Sequence, residues 1–302
     1  MKQYFHSQVD LLISVLPYIE SKEHFALKGG TAINLFFRDM PRLSVDIDLV
    51  YLPIQDRENS IHNISRSLND IAQEISQSGE IKVGILGGAG NFKKIICSRA
   101  MSEIKVEVNL VIRGSIMPPV ARELCPHAQN LFKKFATINC LSFEETYAGK
   151  ICAALDRQHP RDLFDIMMLI DNEGITEGIK DAFLIYLLSH NRPISELLSP
   201  NPRDISEDFA KSFDGMTDEM VPIKDLEEAR SSLVAKIGKS LKDRDKEFLL
   251  SVKRNQARWD LTPFKGVENL PAIRWKISNI SKMDKNKHKE ALNKLTRVLE
   301  KI

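Results

Sequence analysis

The sequence is short of the residues that staple small folds together. Its four cysteines, Cys97, Cys125, Cys140 and Cys152, show no CxxC spacing. Neither a zinc site nor a disulfide framework is expected, and buried free thiols are the plainer reading. The seven histidines show no HExxH spacing, which removes the zincin class of hydrolase. No stretch approaches the roughly 18 uninterrupted apolar residues of a membrane helix, and no basic segment followed by an apolar run opens the chain. A cytoplasmic, non-membrane protein is expected. There is no internal repeat and no low-complexity linker. The charge is nearly balanced at +2, so net charge by itself argues neither for nor against nucleic acid.

What is present is enough for two domains: 302 residues, 43% of them hydrophobic. Residues 2–20 carry Val9, Leu12, Ile13, Leu16 and Ile19 at helical spacing. Thr31 to Arg38 reads as a short helix ended by Pro41. Leu43 to Tyr51 alternates, with Val45, Ile47 and Leu49 on one face and Ser44, Asp46 and Asp48 on the other. Ile61–Ser76 reads as a helix with its stripe at Ile64, Leu68, Ile71 and Ile75. Ile81–Leu86 and Phe92–Ser98 read as strands around a hairpin turn at "GGAGN". Ile104–Arg113 alternates again, Lys105, Glu107 and Asn109 against Val106, Val108 and Leu110. Beyond about residue 145 the strand pattern fades. "SFEE" at Ser142–Glu145 is a capping box for a helix to about Arg157, and a second helix follows Pro160. The expectation is an α/β (α+β) chain: a mixed-sheet core over 1–141 and a mainly α-helical domain over 142–302.

One constellation carries chemistry. Asp46 and Asp48 share a strand face, and two carboxylates that close repel unless something neutralises them. A divalent cation does so, and hard oxygen ligands suit Mg²⁺, with Mn²⁺ as the alternative. Glu107, on the polar face of a later strand, is the candidate third acid. Gly29-Gly30 stands at a helix start, where backbone N–H groups can approach a phosphate. A phosphate cradle, a cation and carboxylates are the parts of phosphoryl or nucleotidyl transfer. A GG pair alone is a common turn and a DxD alone a common solvated edge; the conjunction is what points to a site. By contrast "GILGGAGN" is followed by a strand rather than a helix, so it is no dinucleotide fingerprint.

"GGTAINLFFRDMPRLSVDIDL" resembles the signature of the DNA polymerase β-like nucleotidyltransferase superfamily. More closely it resembles the AbiEii/AbiGii (MenT-like) toxins of type IV toxin–antitoxin and abortive phage infection systems. Lys28-Gly29-Gly30-Thr31-Ala32 matches that family's KGGTA, and Arg42, Ser44, Asp46 and Asp48 match its R-x-S-x-D-x-D. The interval between them is about two residues longer than the family pattern. "EETYAGKICAALDRQHPRDLFD" resembles a second block, placing Lys150, Arg157, Arg161, Asp162 and Asp165 on its lysine, arginine and RDxxD. "LPAIRWKISNISKM" resembles a third; residues 172–255 carry little that matches. Glu107 stands where the family has an aspartate.

The resemblance implies a nucleotidyltransferase toxin. Asp46, Asp48 and Glu107 would hold the metal and, with Lys150 and Asp162, form the catalytic set. Lys28, Gly29, Gly30, Thr31, Ser44, Lys150, Arg157 and Asp165 would bind the NTP. The implied reaction is NMP transfer to an RNA acceptor, the tRNA 3′ end, blocking translation, with a separately encoded antitoxin as partner and a monomeric enzyme. From the residues alone, Arg161 and Asp165 at i and i+4 can equally pair on a helix surface. Two other functions stay open: transfer to a small-molecule or protein hydroxyl, and a non-catalytic GTP/ATP-binding regulator. Residues 271–302 carry nine Lys/Arg against three Asp/Glu. That run, with Lys282, Lys285, Lys287, Lys289, Lys294, Arg297 and Lys301, reads either as an RNA-binding face or as the solvated side of an amphipathic helix.

Overall fold

The computed structural model describes residues 3–87 and 94–302. The chain divides into two compact units, one of Met1–Thr146 with Asp214–Met220, the other of Tyr147–Phe213 with Val221–Ile302.

The first unit is built on a mixed sheet of seven strands: β1 Phe25–Lys28, β2 Asp46–Tyr51, β3 Lys82–Leu86, β4 Lys94–Arg99, β5 Ser102–Asn109, β6 Val120–Glu123 and β7 Thr137–Cys140. Their order is β3-β4-β5-β2-β1-β7-β6. The helices are α1 Gln3–Glu20, α2 Gly29–Ala32, α3 Arg57–Gln77 and α4 Pro126–Phe132. The apolar stripe expected for residues 2–20 is buried in α1, and Ile64, Leu68, Ile71 and Ile75 are buried in α3. Both join one core with Ile47, Leu49, Val106 and Val108 from the central strands. Alternation explains the division of labour. Ile47 and Leu49 are fully buried, and Asp46 and Asp48 occupy the opposite, half-buried face.

Several boundaries differ from those read off the sequence. β2 begins only at Asp46, because the backbone from Arg38 to Val45 is irregular. Met40 there has φ 55°, its N–H donates to Asn34 O at 2.9 Å, and its side chain is buried. Leu43 N–H donates to Met216 O at 2.8 Å, so the segment finds its partner far away in sequence, which no local pattern could announce. These bonds hold the irregular stretch between GG and DxD in place. The helix expected over Thr31–Arg38 runs as α2 and then a π-helical turn, Ile33–Phe37. β5 stops at Asn109 rather than Arg113, since the Asn109 carboxamide oxygen accepts from Val111 N–H at 2.9 Å and Ile112 N–H at 2.8 Å and turns the chain. β6, β7 and α4 carry too short a pattern to be read alone. β3 and β4 pair antiparallel as expected, and the "GGAGN" turn falls largely outside the described residues.

α5, Phe143–Asp156, links the units in sequence. Ser142 Oγ accepts from Glu145 N–H at 3.1 Å, as a capping box requires. The Glu145 carboxylate, buried, also accepts from Ile116 and Met117 N–H at 3.0 and 3.2 Å, so it ties the helix start to a neighbouring loop.

The second unit is helical: α6 Pro160–Asn172, α7 Glu177–Ser189, α8 Ile194–Leu198, α9 Ser206–Ser212, α10 Ile223–Ser240, α11 Asp243–Lys253, α12 Pro271–Ser281 and α13 Lys285–Lys301. α7 is buried almost all round, as the central helix of a bundle must be. Within it Lys180 is 1% exposed, and its ammonium is met by Asp245 at 2.8 Å and Asp181 and Glu177 at 2.9 Å. α13 buries Leu295 and Leu299 and leaves its lysines in solvent. All four cysteines are free and buried, as expected. Burial pushes the Cys97 thiol up to about 12, so it is inert at neutral pH. No described helix is long and apolar enough to cross a membrane.

Candidate active site

The polar face of the central strands carries the DxD pair in a fixed register. β2 runs parallel to β5, with Asp46 opposite Lys105 and Asp48 opposite Glu107. On its other side β2 pairs antiparallel with β1, and Lys28 stands opposite Asp48. On the far side of β5, Lys94 Nζ bonds Glu107 Oε1 at 2.6 Å. A charged row thus crosses four strands in the order Lys94, Glu107, Asp48, Lys28. Two carboxylates lie side by side, and a lysine flanks each.

The glycine pair presses against this row. Gly29 has φ 75°, a left-handed conformation, and a Cβ there would lie 3.0 Å from Asp48 Oδ2. A Cβ on Gly30 would lie 2.7 Å from an Arg42 Nη and 3.1 Å from Ser44 Oγ. The left-handed φ favours glycine at Gly29, and a Cβ at Gly30 would have to push the buried Arg42 guanidinium aside. Arg42 is 2% exposed, and its Nη1 donates to Leu43 O at 2.8 Å, so a guanidinium is built in beneath the turn.

Thr31 Oγ1 lies 2.5 Å from Asp46 O and 2.9 Å from Ser44 Oγ. A hydroxyl has one proton and the carbonyl can only accept. Thr31 therefore donates to Asp46 O, and Ser44 donates to Thr31. Both hydroxyls are buried, and together they clamp the glycine turn onto the aspartate strand.

The second block gathers into a cluster of its own within the helical unit. Lys150 Nζ, 6% exposed, lies 2.8 Å from Asp162 Oδ1 and 2.9 Å from Asp165 Oδ2. Arg157 Nε and Nη2 grip Asp162 from the other side, at 2.5 and 3.0 Å. Burial alone would raise the Asp162 pKa, but the Lys150 and Arg157 cations hold it well below the usual carboxylate range. Asp162 and Asp165 are thus joined through one ammonium, and Arg157 does not pair with solvent alone.

The fit of a divalent ion can be judged from the donors. Asp46, Asp48 and Glu107 are hard oxygen ligands, half-buried and on one face. Asp46 and Asp48 are of the ligand type that suits such an ion. Glu107 is held by Lys94, and among the described residues no three carboxylate, histidine or cysteine side chains are gathered closely enough to hold a metal. Lys94 competes with a cation for Glu107 Oε1, and Oε2 is the oxygen a cation could take without displacing it. Arg42 and Lys94 were not picked out by sequence reasoning as site residues. Arg42 lies within the matched motif, whereas Lys94 carries no local signal, because its place depends on strand pairing.

Comparison with known proteins bears on this arrangement. No curated protein sequence matches the chain. Solved structures similar to it include MenT4, a nucleotidyltransferase toxin from Mycobacterium tuberculosis H37Rv, at a TM-score of 0.62 and 15% identity over 98% of this chain and 94% of that one. That likeness is one of fold. The model of the family described as "Nucleotidyl transferase AbiEii toxin, Type IV TA system" matches residues 10–276. The match spans both units and every site residue named above. The chain belongs to the AbiEii family of nucleotidyltransferase toxins.

Proposed function

We propose that this nucleotidyltransferase transfers a nucleoside monophosphate from an NTP to the 3′ hydroxyl of an RNA acceptor, the tRNA 3′ end, and so arrests translation. The observation that carries the reading is the row Lys94–Glu107–Asp48–Lys28 set against the Gly29-Gly30 turn. Asp46 and Asp48, joined by Glu107, would hold a divalent cation, Mg²⁺ or Mn²⁺. When bound, the ion neutralises the carboxylates and polarises the phosphate being transferred. The N–H groups of the glycine turn and the Lys28 ammonium take the triphosphate oxygens. Arg42 and the Thr31–Ser44 clamp keep that turn at a fixed height over Asp48. A carboxylate of the row accepts the proton of the acceptor hydroxyl, whose oxygen bonds to the α-phosphorus. The bond from that phosphorus to its bridging oxygen breaks, and pyrophosphate leaves.

Lys150 and Asp162 were implicated through the family block. As they stand, two of the three donors of the Lys150 ammonium go to buried carboxylates, Asp162 and Asp165. A contact to nucleotide phosphate would fall to the third. The biological setting implied by the family is growth inhibition, opposed by a separately encoded antitoxin.

Incubating the protein with each radiolabelled NTP, Mg²⁺ and total tRNA tests the reading. Label should enter tRNA with wild type and be lost with Asp48→Ala. If no NTP labels tRNA and Asp48→Ala inhibits growth as wild type does, the reading fails. Label on a protein or a small molecule would instead move the acceptor to another class.

A further inference from the structure

Of the two tryptophans, one is used in packing. Trp259 is half-buried and meets the Phe248 ring edge-on at 5.8 Å between centroids. Trp275 is 64% exposed, on the second turn of α12. The helix does not need it there. α12 buries Ala272, Ile273 and Ile280 on its inner side, and the indole is turned the other way. Leaving a ring of that size in water forfeits about 1.5–3 kcal/mol of burial.

Pro271 and Ala272 stand one turn before it, and the residues beyond it on the helix are polar and cationic. Arg274 precedes it, Asn279 follows one turn on, and Lys282 two turns on, and all three are exposed. Neither Arg274 nor Lys282 is joined by an acidic partner among the described residues. The helix is held firmly beneath them. Lys276 Nζ donates to His190 O at 2.5 Å, and burial together with nearby Lys253 brings its pKa down to about 8. Lys276 is therefore an anchor, and the free cations are its neighbours. After a connection of three residues, α13 continues the same sign of charge, with Lys285, Lys287 and Lys289 exposed in its first turns. Glu290, Asn293, Lys294, Arg297, Val298 and Lys301 line a groove of about 390 Å³ along that helix.

An exposed aromatic ring among unpaired cations is the construction by which proteins hold single-stranded nucleic acid: a base stacks on the ring and the cations take its flanking phosphates. Exposed cations on the helix, Arg274 and Lys282, favour a polyanionic partner. We infer that Trp275, with the exposed cations Arg274 and Lys282 on the same helix, is a stacking platform for one unpaired base of the RNA acceptor. This rests on the acceptor being RNA and assigns a binding surface to it.

Tryptophan emission of the full-length protein, titrated with an unstructured oligoribonucleotide of about eight nucleotides, tests the assignment. The oligoribonucleotide should quench wild type and spare Trp275→Phe, whose remaining indole is Trp259. Trp275→Ala should weaken binding by roughly 5- to 150-fold, the equivalent of about 1–3 kcal/mol, and Trp275→Phe by much less. Replacing Arg274 and Lys282 by alanine should flatten the dependence of log K on log salt. In the labelling assay Trp275→Ala should raise KM for the RNA and leave KM for the NTP and kcat unchanged. Unaltered emission, or a Trp275→Ala variant that binds as wild type does, overturns the inference. If wild type labels tRNA in that case, the enzymatic reading survives without it. If wild type binds and is quenched yet labels no RNA, the platform stands and the acceptor reading falls.

Discussion

Gly29 carries two constraints that a sequence pattern merges into one letter. Its φ of 75° disfavours any L side chain, and its missing Cβ leaves 3.0 Å to the Asp48 carboxylate. Gly29→Ala should therefore cost at least about 1 kcal/mol of stability in denaturant melts and should displace Asp48. Labelling activity should fall far more than the stability loss would account for. Lys94 is the opposite case, a residue with no motif around it that the sheet delivers to Glu107. If Glu107 joins the cation, Lys94 competes for it. Lys94→Met should then tighten Mn²⁺ binding, followed by electron paramagnetic resonance of the free ion, and Glu107→Gln should weaken it. Equal affinities in all three proteins would remove Glu107 from the ligand set.

Helix α6 shows how much chemistry one element's first turn can fix. Asp162 and Asp165 lie on its buried side and Pro160 opens it. Lys150 from α5 sits between the two acids, with all three side chains buried. Lys150→Met would leave two carboxylates without their shared cation, and should cost about 3–5 kcal/mol in chemical denaturation. A variant that keeps its stability and loses only NTP binding would instead assign Lys150 to the phosphates. The cap of α6 titrates. His159 Nδ1 accepts from Arg161 N–H at 3.2 Å, and its Nε2 lies 3.0 Å from Ser212 Oγ. Burial, with help from Arg161, lowers its pKa from 6.5 to about 4. Between those values the unfolded chain holds a proton that the native imidazole does not. The contribution is thus fully present above pH 6.5 and is lost as pH falls toward 4. Melting temperature should drop across that window, and His159→Asn, which keeps an acceptor for the cap, should show a shallower drop.

At the scale of the whole molecule, the first unit borrows residues from late in the chain. Asp214–Met220 belongs with Met1–Thr146, and Met216 is 2% exposed in its core. Met216→Ala should cost about 2–5 kcal/mol, detected as a loss of protection from hydrogen exchange around Leu43 on β2's approach. Charge is also arranged at this scale. Residues 201–230 carry nine acids against four bases and residues 271–302 the reverse imbalance, so a net of +2 conceals two strongly charged stretches. The terminal stretch would give the proposed stacking platform on α12 a positive field.

Much of the candidate catalytic face was legible because its signals are local. Period-two alternation put Asp46 and Asp48 opposite Ile47 and Leu49, and a glycine pair before a helical stripe marked the turn. The residue types themselves fixed the chemistry as that of carboxylates, glycine N–H groups and lysines. The tertiary fold decided what those signals could not carry. Strand register set Asp48 between Glu107 and Lys28 and brought Lys94 to Glu107, since pairing across a sheet leaves no trace in either strand alone. Burial turned Lys150 from one more lysine into the centre of a closed ion cluster. Met216 gave the irregular segment before the aspartates a distant backbone partner, and exposure separated Trp275 from Trp259. A sequence records what each residue can do; which neighbours it meets, and whether water reaches it, is settled only when distant segments pack.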